Sequence, residues 1–273
     1  MLCDLCQNEP KQEDSHIIPA FVFRYLKATS PTGFFRGTDE PNRRVQDGPK
    51  CKLLGPACED YFAKYEKIFS EEIFHPVHRL GKNDLAFEYE DWLGKFCVSL
   101  SWRALAALMK KGVDNVPFGH GPLLQPALNT WRDFLLGKKA DVGCHKQHFL
   151  ILGDPTSSPS QLNGTELALY IQRATDYNTM HAENMCYVMT KMCRIVVVGT
   201  ILPEQSNPWA NTEVNLQRGK YAPGDFGVSS LLFSFFESAI AETKEGRQRI
   251  SGTQSDTILK TFERKHGPLP KRS

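Results

Sequence analysis

The sequence predicts an α+β protein: a small cysteine-rich module that can hold a metal, followed by a mixed α+β body. Three observations carry this expectation. Cys3-Asp4-Leu5-Cys6 forms a knuckle of two cysteines separated by two residues, and a further cysteine, Cys58, stands just before a helix-like segment. In that segment Tyr61, Phe62, Tyr65, Ile68 and Phe69 recur at helical spacing and form one apolar face. Beyond about residue 145 the chain turns to β-branched apolar runs, of which Ile195-Val196-Val197-Val198 is the clearest.

The chain has 273 residues, 41% hydrophobic and 23% charged, which is ordinary globular composition and enough to bury a core. The division expected is a metal module over 1–80 and an α+β body over 81–273. A net charge of +2 does not mark a strongly basic nucleic-acid binder. The charge is uneven, however. Residues 1–75 carry 10 basic and 12 acidic groups, while 244–273 carry 8 and 3, so the basic tail around Arg264 and Lys265 could meet phosphates. A solvated terminus is the simpler reading of that tail. Met1-Leu2-Cys3-Asp4 has no basic region followed by an apolar one, and no run approaches the roughly 18 apolar residues of a membrane span. A cytoplasmic protein without membrane contact is therefore expected. In a reducing compartment, eight cysteines argue against a disulfide framework. Cys97, Cys186 and Cys193 lie in apolar segments and read as core.

Taken in order, Cys3 to Cys6 is a turn. Ser15 to Phe23 is apolar and partly β-branched, interrupted by Pro19. Residues 28–50 form a loop rich in Gly, Pro and charge. A helix runs over Cys58 to Phe74, its start set by Pro56. A second, apolar on most sides and ending at Gly112, spans Asp91 to Lys111 and is expected at the centre of the core. A third covers 126–139. Strands are expected over His148 to Leu152, Glu166 to Arg173, and Met185 to Leu202 in one or two pieces. A polar loop fills 204–227, and Ser229 to Thr243 is helical again.

A zinc knuckle needs thiolates that converge tetrahedrally, and Cys3 and Cys6 supply half of such a site. The other half usually comes from a second Cys-x-x-Cys at a helix start. Here Gly55 stands at the first position of that pair and Cys58 at the second. Cys51 could substitute if the loop bends; otherwise the fourth ligand is missing or comes from elsewhere, such as Cys144, His145 or His148.

These segments resemble a bacterial family related to HNH (ββα-metal, treble-clef) endonucleases. The residues that carry the resemblance are Cys3 and Cys6, then Ser15-His16-Ile17-Ile18-Pro19, then Leu53-Leu54-Gly55-Pro56-Ala57-Cys58-Glu59, then Glu66. Trp102 and Arg103 resemble a later Trp-Arg segment of that family. The resemblance covers about 75 residues firmly and about 110 in all. It implies a metal-dependent endonuclease, a hydrolase of DNA phosphodiesters, with His16, Ser15 and Glu59 as the catalytic set. His16 would be the general base, since histidine with a reference pKa of about 6.5 has an available neutral form near pH 7. Zn²⁺ would be structural, on Cys3, Cys6, Cys51 and Cys58. Mg²⁺ or Mn²⁺ would be catalytic, on Glu59 and Glu66, which lie two turns apart on one helix edge. Ser15 stands where many such enzymes carry an Asp or His ligand, and Asp14 or a water would have to compensate. Arg43, Arg44 and Lys52 would contact phosphates. Structural readings stand beside these: Glu59 as a capping charge, Glu66 as one half of an ion pair, His16 as a brace for the knuckle. The alternatives to a nuclease are a non-catalytic zinc module that binds nucleic acid or protein, and a scaffold or sensor. A homo-oligomer or an accessory protein partner fits each of these. No Gly-rich phosphate loop or Gly-x-Ser-x-Gly elbow is present.

Overall fold

The structure, a computed structural model, describes residues 1–11, 14–79, 85–112, 116–153 and 164–267. After the N-terminal turn comes β1 (Ser15–His16), cut short by Pro19, which stands immediately before helix α1 (Ala20–Thr29). The apolar run from Ser15 to Phe23 is thus a two-residue strand followed by helix. β2 (Lys50–Cys51) pairs antiparallel with β1, setting Ser15 opposite Cys51 and His16 opposite Lys50. Helix α2 (Pro56–Phe69) has its proline in the first turn, where the missing N–H has no helical partner to lose. It continues through a π-helical turn, Ser70–Phe74, into α3 (His75–Arg79).

β3 (Phe87–Tyr89) leads into α4 (Asp91–Lys110), which is buried almost throughout from Leu93 to Leu108, as its apolar surface requires. Then follow α5 (Gly121–Leu135), β4 (Gln147–Ile151), α6 (Gly164–Arg173), β5 (Thr175–Ala182), β6 (Met185–Met192), β7 (Ile195–Leu202), β8 (Gly219–Tyr221), α7 (Ser230–Gln248) and α8 (Gly252–His266).

The fold class is α+β. Its main sheet is antiparallel, in the order β4-β7-β6-β5. Side chains alternate across it with the strand period of two. On β7, Ile195 and Val197 face the cluster that holds Phe96 and Leu100 of α4, while Val196 and Val198 join Leu232 of α7 and Trp209. Gly199 lets the sheet approach α4 closely, because a Cβ there would lie 2.6 Å from the Ser101 Oγ and 2.9 Å from Trp131.

Segment Glu166–Arg173, expected as a strand, is helix α6. Leu167, Tyr170 and Ile171 fall at helical spacing and pack on Ala239 and Ile240 of α7. The buried Lys191 ammonium caps the end of α6, donating to the carbonyls of Tyr170 at 2.6 Å and Ala174 at 3.2 Å. The loop expected over 204–227 contains β8, which pairs with β3.

Two apolar clusters join the N-terminal segment to the body. One unites Cys3, Leu5, Ile17, Leu54 and Phe62 with Trp102, Leu105 and Trp131. The other unites Ile18, Phe21 and Phe74 with Phe96, Phe149 and Ile195, and stacks Phe69 on Phe96 with ring centres 3.8 Å apart. The boundary expected between 80 and 81 lies outside the described residues. Among the described residues no helix is long and apolar enough to cross a membrane.

Candidate metal centre and the His16 strand

The knuckle is built by backbone hydrogen bonds. Cys3 N–H donates to the Glu9 carbonyl at 2.8 Å, and Gln7 N–H donates to the Cys3 carbonyl at 3.0 Å. Asp4 N–H donates to the Leu53 carbonyl at 2.8 Å, which ties the knuckle to the segment entering α2. Cys58, on the first turn of α2, completes the set. The ligand atoms of Cys3, Cys6, Glu9 and Cys58 all lie within 4.8 Å of one another, positioned to hold a metal ion.

Glu9 is the member that sequence reasoning missed. Its carboxylate accepts from Ala57 N–H and Cys58 N–H, each at 3.2 Å, so it also satisfies orphan donors at the α2 N-terminus. A Cβ on Gly55 would sit 2.3 Å from the Glu9 Cγ and 2.4 Å from its Cδ. The carboxylate therefore occupies the space of the side chain that the treble-clef pattern places there. The only sequence signal was the pairing of that glycine with an acid three residues after Cys6.

The thiols respond to one another. Burial, followed by the neighbouring Cys6 and Cys3, pushes the Cys58 thiol well up. Burial opposes ionisation of Cys6 too, but hydrogen bonds from the Asn8 backbone, Cys58 and Cys3 outweigh it and draw its pKa below the usual thiol value. The opposed shifts of Cys6 and Cys58 show one thiol ionising at the other's expense, and a bound cation relieves that conflict. Cys51 is not in the group; it lies on β2 opposite Ser15. Neither are Cys144, which is exposed, nor His145 and His148, whose Nδ1 atoms meet the Thr200 carbonyl and the Thr212 hydroxyl at 3.1 Å each.

His16 sits on β1 with its Nε2 2.8 Å from the Asp47 Oδ1. The Asp47 Oδ2 lies 2.9 Å from the Lys50 ammonium. Burial alone would raise the Asp47 pKa, but the hydrogen bonds from His16 and Lys50 reverse that and hold it well below the usual carboxylate range. An ionised partner at Nε2 selects the tautomer protonated there, which leaves Nδ1 as the basic nitrogen. Asp47 is the second missed residue. It lies in a charge-rich loop with no local pattern to single it out.

The remaining candidates are dispersed. Ser15 is buried, and its hydroxyl accepts from Leu54 N–H at 3.1 Å, so it fastens β1 to the start of α2. Glu59 stands in the first turn of α2, and its Oε1 is buried with no hydrogen-bond partner. Glu66 is paired instead with the buried Arg103 of α4, Oε1 to Nη1 at 2.7 Å. The same Nη1 donates to the His16 carbonyl at 3.1 Å, and the guanidinium lies 5.3 Å from the Phe62 ring centre. One side chain of the body thus fixes both the histidine strand and α2. Arg43 and Arg44 are exposed on the loop before β2, Arg43 paired with Glu40 at 2.9 Å and Arg44 5.2 Å from the Phe34 ring centre. Lys52 is exposed just after β2.

Compared with known protein families, curated proteins and solved structures, the chain matched none.

Proposed function

We propose that this chain is a metal-dependent endonuclease of the HNH type, hydrolysing phosphodiester bonds in DNA. The observation that carries the reading is the order β1, β2, α2, with His16 on the first strand, oriented by Asp47, and a set of three thiols and a carboxylate drawn from the turn before β1 and the start of α2. That donor set suits Zn²⁺ in a closed structural site. Its work would be to staple the knuckle to α2 and hold β1 in place.

In the chemistry, His16 Nδ1 takes a proton from water as the water oxygen attacks phosphorus and the bond to the leaving sugar oxygen breaks. Asp47 holds the ring and stabilises its positive charge once the proton has arrived. Glu59, with its unpartnered buried oxygen, is the residue that would hold Mg²⁺ or Mn²⁺, and such an ion supplies charge neutralisation at the phosphoryl oxygens. Arg43, Arg44 and Lys52 would meet the flanking phosphates. The engagement of Ser15 with Leu54 and of Glu66 with Arg103 favours a second reading, a zinc module that binds nucleic acid without cutting it.

The test is cleavage of supercoiled plasmid and single-stranded DNA with Mg²⁺, Mn²⁺ or chelator, comparing the native chain with a folded His16→Ala variant. Cleavage that needs metal and is lost in the variant supports the nuclease. Binding without cleavage moves the assignment to the second reading.

A further inference from the structure

A second group of metal-ligating side chains lies on the β5–β6 hairpin of the main sheet. His181 and Cys186 are directly opposite one another on β5 and β6, so their side chains share one face of the hairpin. The Cys186 Sγ is 3.3 Å from the His181 Nδ1, about the spacing that two donors take around one tetrahedral ion. His120, immediately before α5, joins them from a distant part of the chain, its ring centre 5.7 Å from that of His181. One nitrogen of each ring and the Cys186 Sγ lie within 4.8 Å of one another.

The hydrogen bonds prepare these rings for ligation. His120 Nε2 faces the Glu183 carbonyl at 3.3 Å, so Nε2 carries the proton and Nδ1 keeps its lone pair. That Nδ1 is buried and has no hydrogen-bond partner, and His120 is only 4% exposed. The His181 Nε2 is likewise buried without a partner. An ion on the His181 Nδ1 would leave that Nε2 as the N–H, so it is the His120 Nδ1 whose burial cost a bound ion would recover. The chain reversal that delivers His120 is itself strained: Phe118, exposed, holds a left-handed φ of 61°.

We infer that His120, His181 and Cys186 form a second metal site, for a transition ion such as Zn²⁺, separate from the cysteine-rich centre. Two imidazoles and a thiolate select a soft or borderline ion over Mg²⁺ or Ca²⁺. Three protein ligands leave one position for water or an external ligand. The ion pins the loop before α5 to the β5–β6 hairpin. The proposal is independent of the nuclease reading.

The test is stoichiometric. The full chain is stripped of metal under reducing conditions and titrated with Zn²⁺ against a chromophoric chelator, then with Co²⁺ to read ligand-field and thiolate charge-transfer bands. The native chain should bind two ions, and a Cys3→Ser/Cys6→Ser variant should keep one, with a thiolate band. His181→Gln, at a half-buried position, should weaken one of the two native sites by about 100-fold or more and leave the other untouched. A Cys3→Ser/Cys6→Ser chain that folds but binds no ion would overturn the proposal. So would two unaltered sites in His181→Gln.

Discussion

The carboxylate of Glu9 fills the volume in front of Gly55, where an added Cβ would come within 2.3 Å of the Glu9 Cγ. Glycine and carboxylate therefore work as a pair. The consequence is steric and local. Gly55→Ala should cost about 1–3 kcal/mol by forcing the acid aside, the range of an overpacked site. In a Glu9→Ala background most of that cost should vanish, and urea unfolding of the four chains in a double-mutant cycle measures the coupling. Additive effects would show that the two positions do not compete.

Arg103 links the body to the candidate site. Arg103→Ala removes the partner of Glu66 and of the His16 carbonyl from a buried position. A loss on the order of 3 kcal/mol is expected, because breaking a buried pair strands its remaining member. Glu66→Gln should cost less, since an amide oxygen still accepts from the guanidinium. Denaturant midpoints give both values, and an Arg103→Ala chain as stable as the native one would remove this link.

On the nuclease reading, Asp47 should matter to cleavage and little to folding. Asp47→Asn keeps the shape of the side chain but replaces the carboxylate that orients His16. Cleavage should fall about 10²-fold, within the range of acid–base contributions. Since its pKa is held well below that of an ordinary carboxylate, Asp47 stays ionised across mildly acidic solutions. A cleavage rate indifferent to Asp47→Asn would separate the aspartate from the chemistry.

His78 gives the fold an acid-sensitive point. Its Nε2 accepts from Arg194 N–H at 3.2 Å, which requires the neutral ring, and its Nδ1 lies 2.8 Å from the Phe74 carbonyl. Burial is the main cause that lowers its pKa to about 4. The unfolded chain, with the ordinary value of about 6.5, binds the proton first on acidification. Stability is thus fully present above about pH 6.5 and is lost as pH falls toward 4, by about 3 kcal/mol from this group. Burial acts in the same direction on His148, lowered to about 3, and on His181, lowered to about 4. Urea midpoints at several pH values should fall less steeply for His78→Gln than for the native chain. Identical slopes would show that the ring does not titrate in this window.

The long amphipathic and apolar segments could be read from sequence because burial dictates their composition. α2, α4, β4 and the β6–β7 pair fall where the hydrophobic pattern puts them. Helix α6 does not follow from its sequence, because Leu167-Ala168-Leu169-Tyr170-Ile171 is apolar enough for either period and only its packing on α7 decides. Strand β5 is half polar, and β3 and β8 have three residues each, too few to carry a pattern. Helix α8 has no buried residue, and its part-buried apolar side chains, Ile258 and Phe262, are too few to stand out in a polar segment. In the candidate site, Cys3, Cys6 and Cys58 were legible from spacing. Glu9 and Asp47 were not, because each acts through a contact that only the tertiary fold creates.

The most direct test exchanges the ligand between its two positions. Zinc retained per chain is measured against a competing chelator for the native protein, Glu9→Ala, Gly55→Cys and Glu9→Ala/Gly55→Cys. The account predicts that Glu9→Ala loses affinity at the cysteine-rich centre and that the double variant regains it, with a fourth thiolate visible in its Co²⁺ spectrum. Undiminished zinc affinity in Glu9→Ala, or no recovery in a folded double variant, would contradict it.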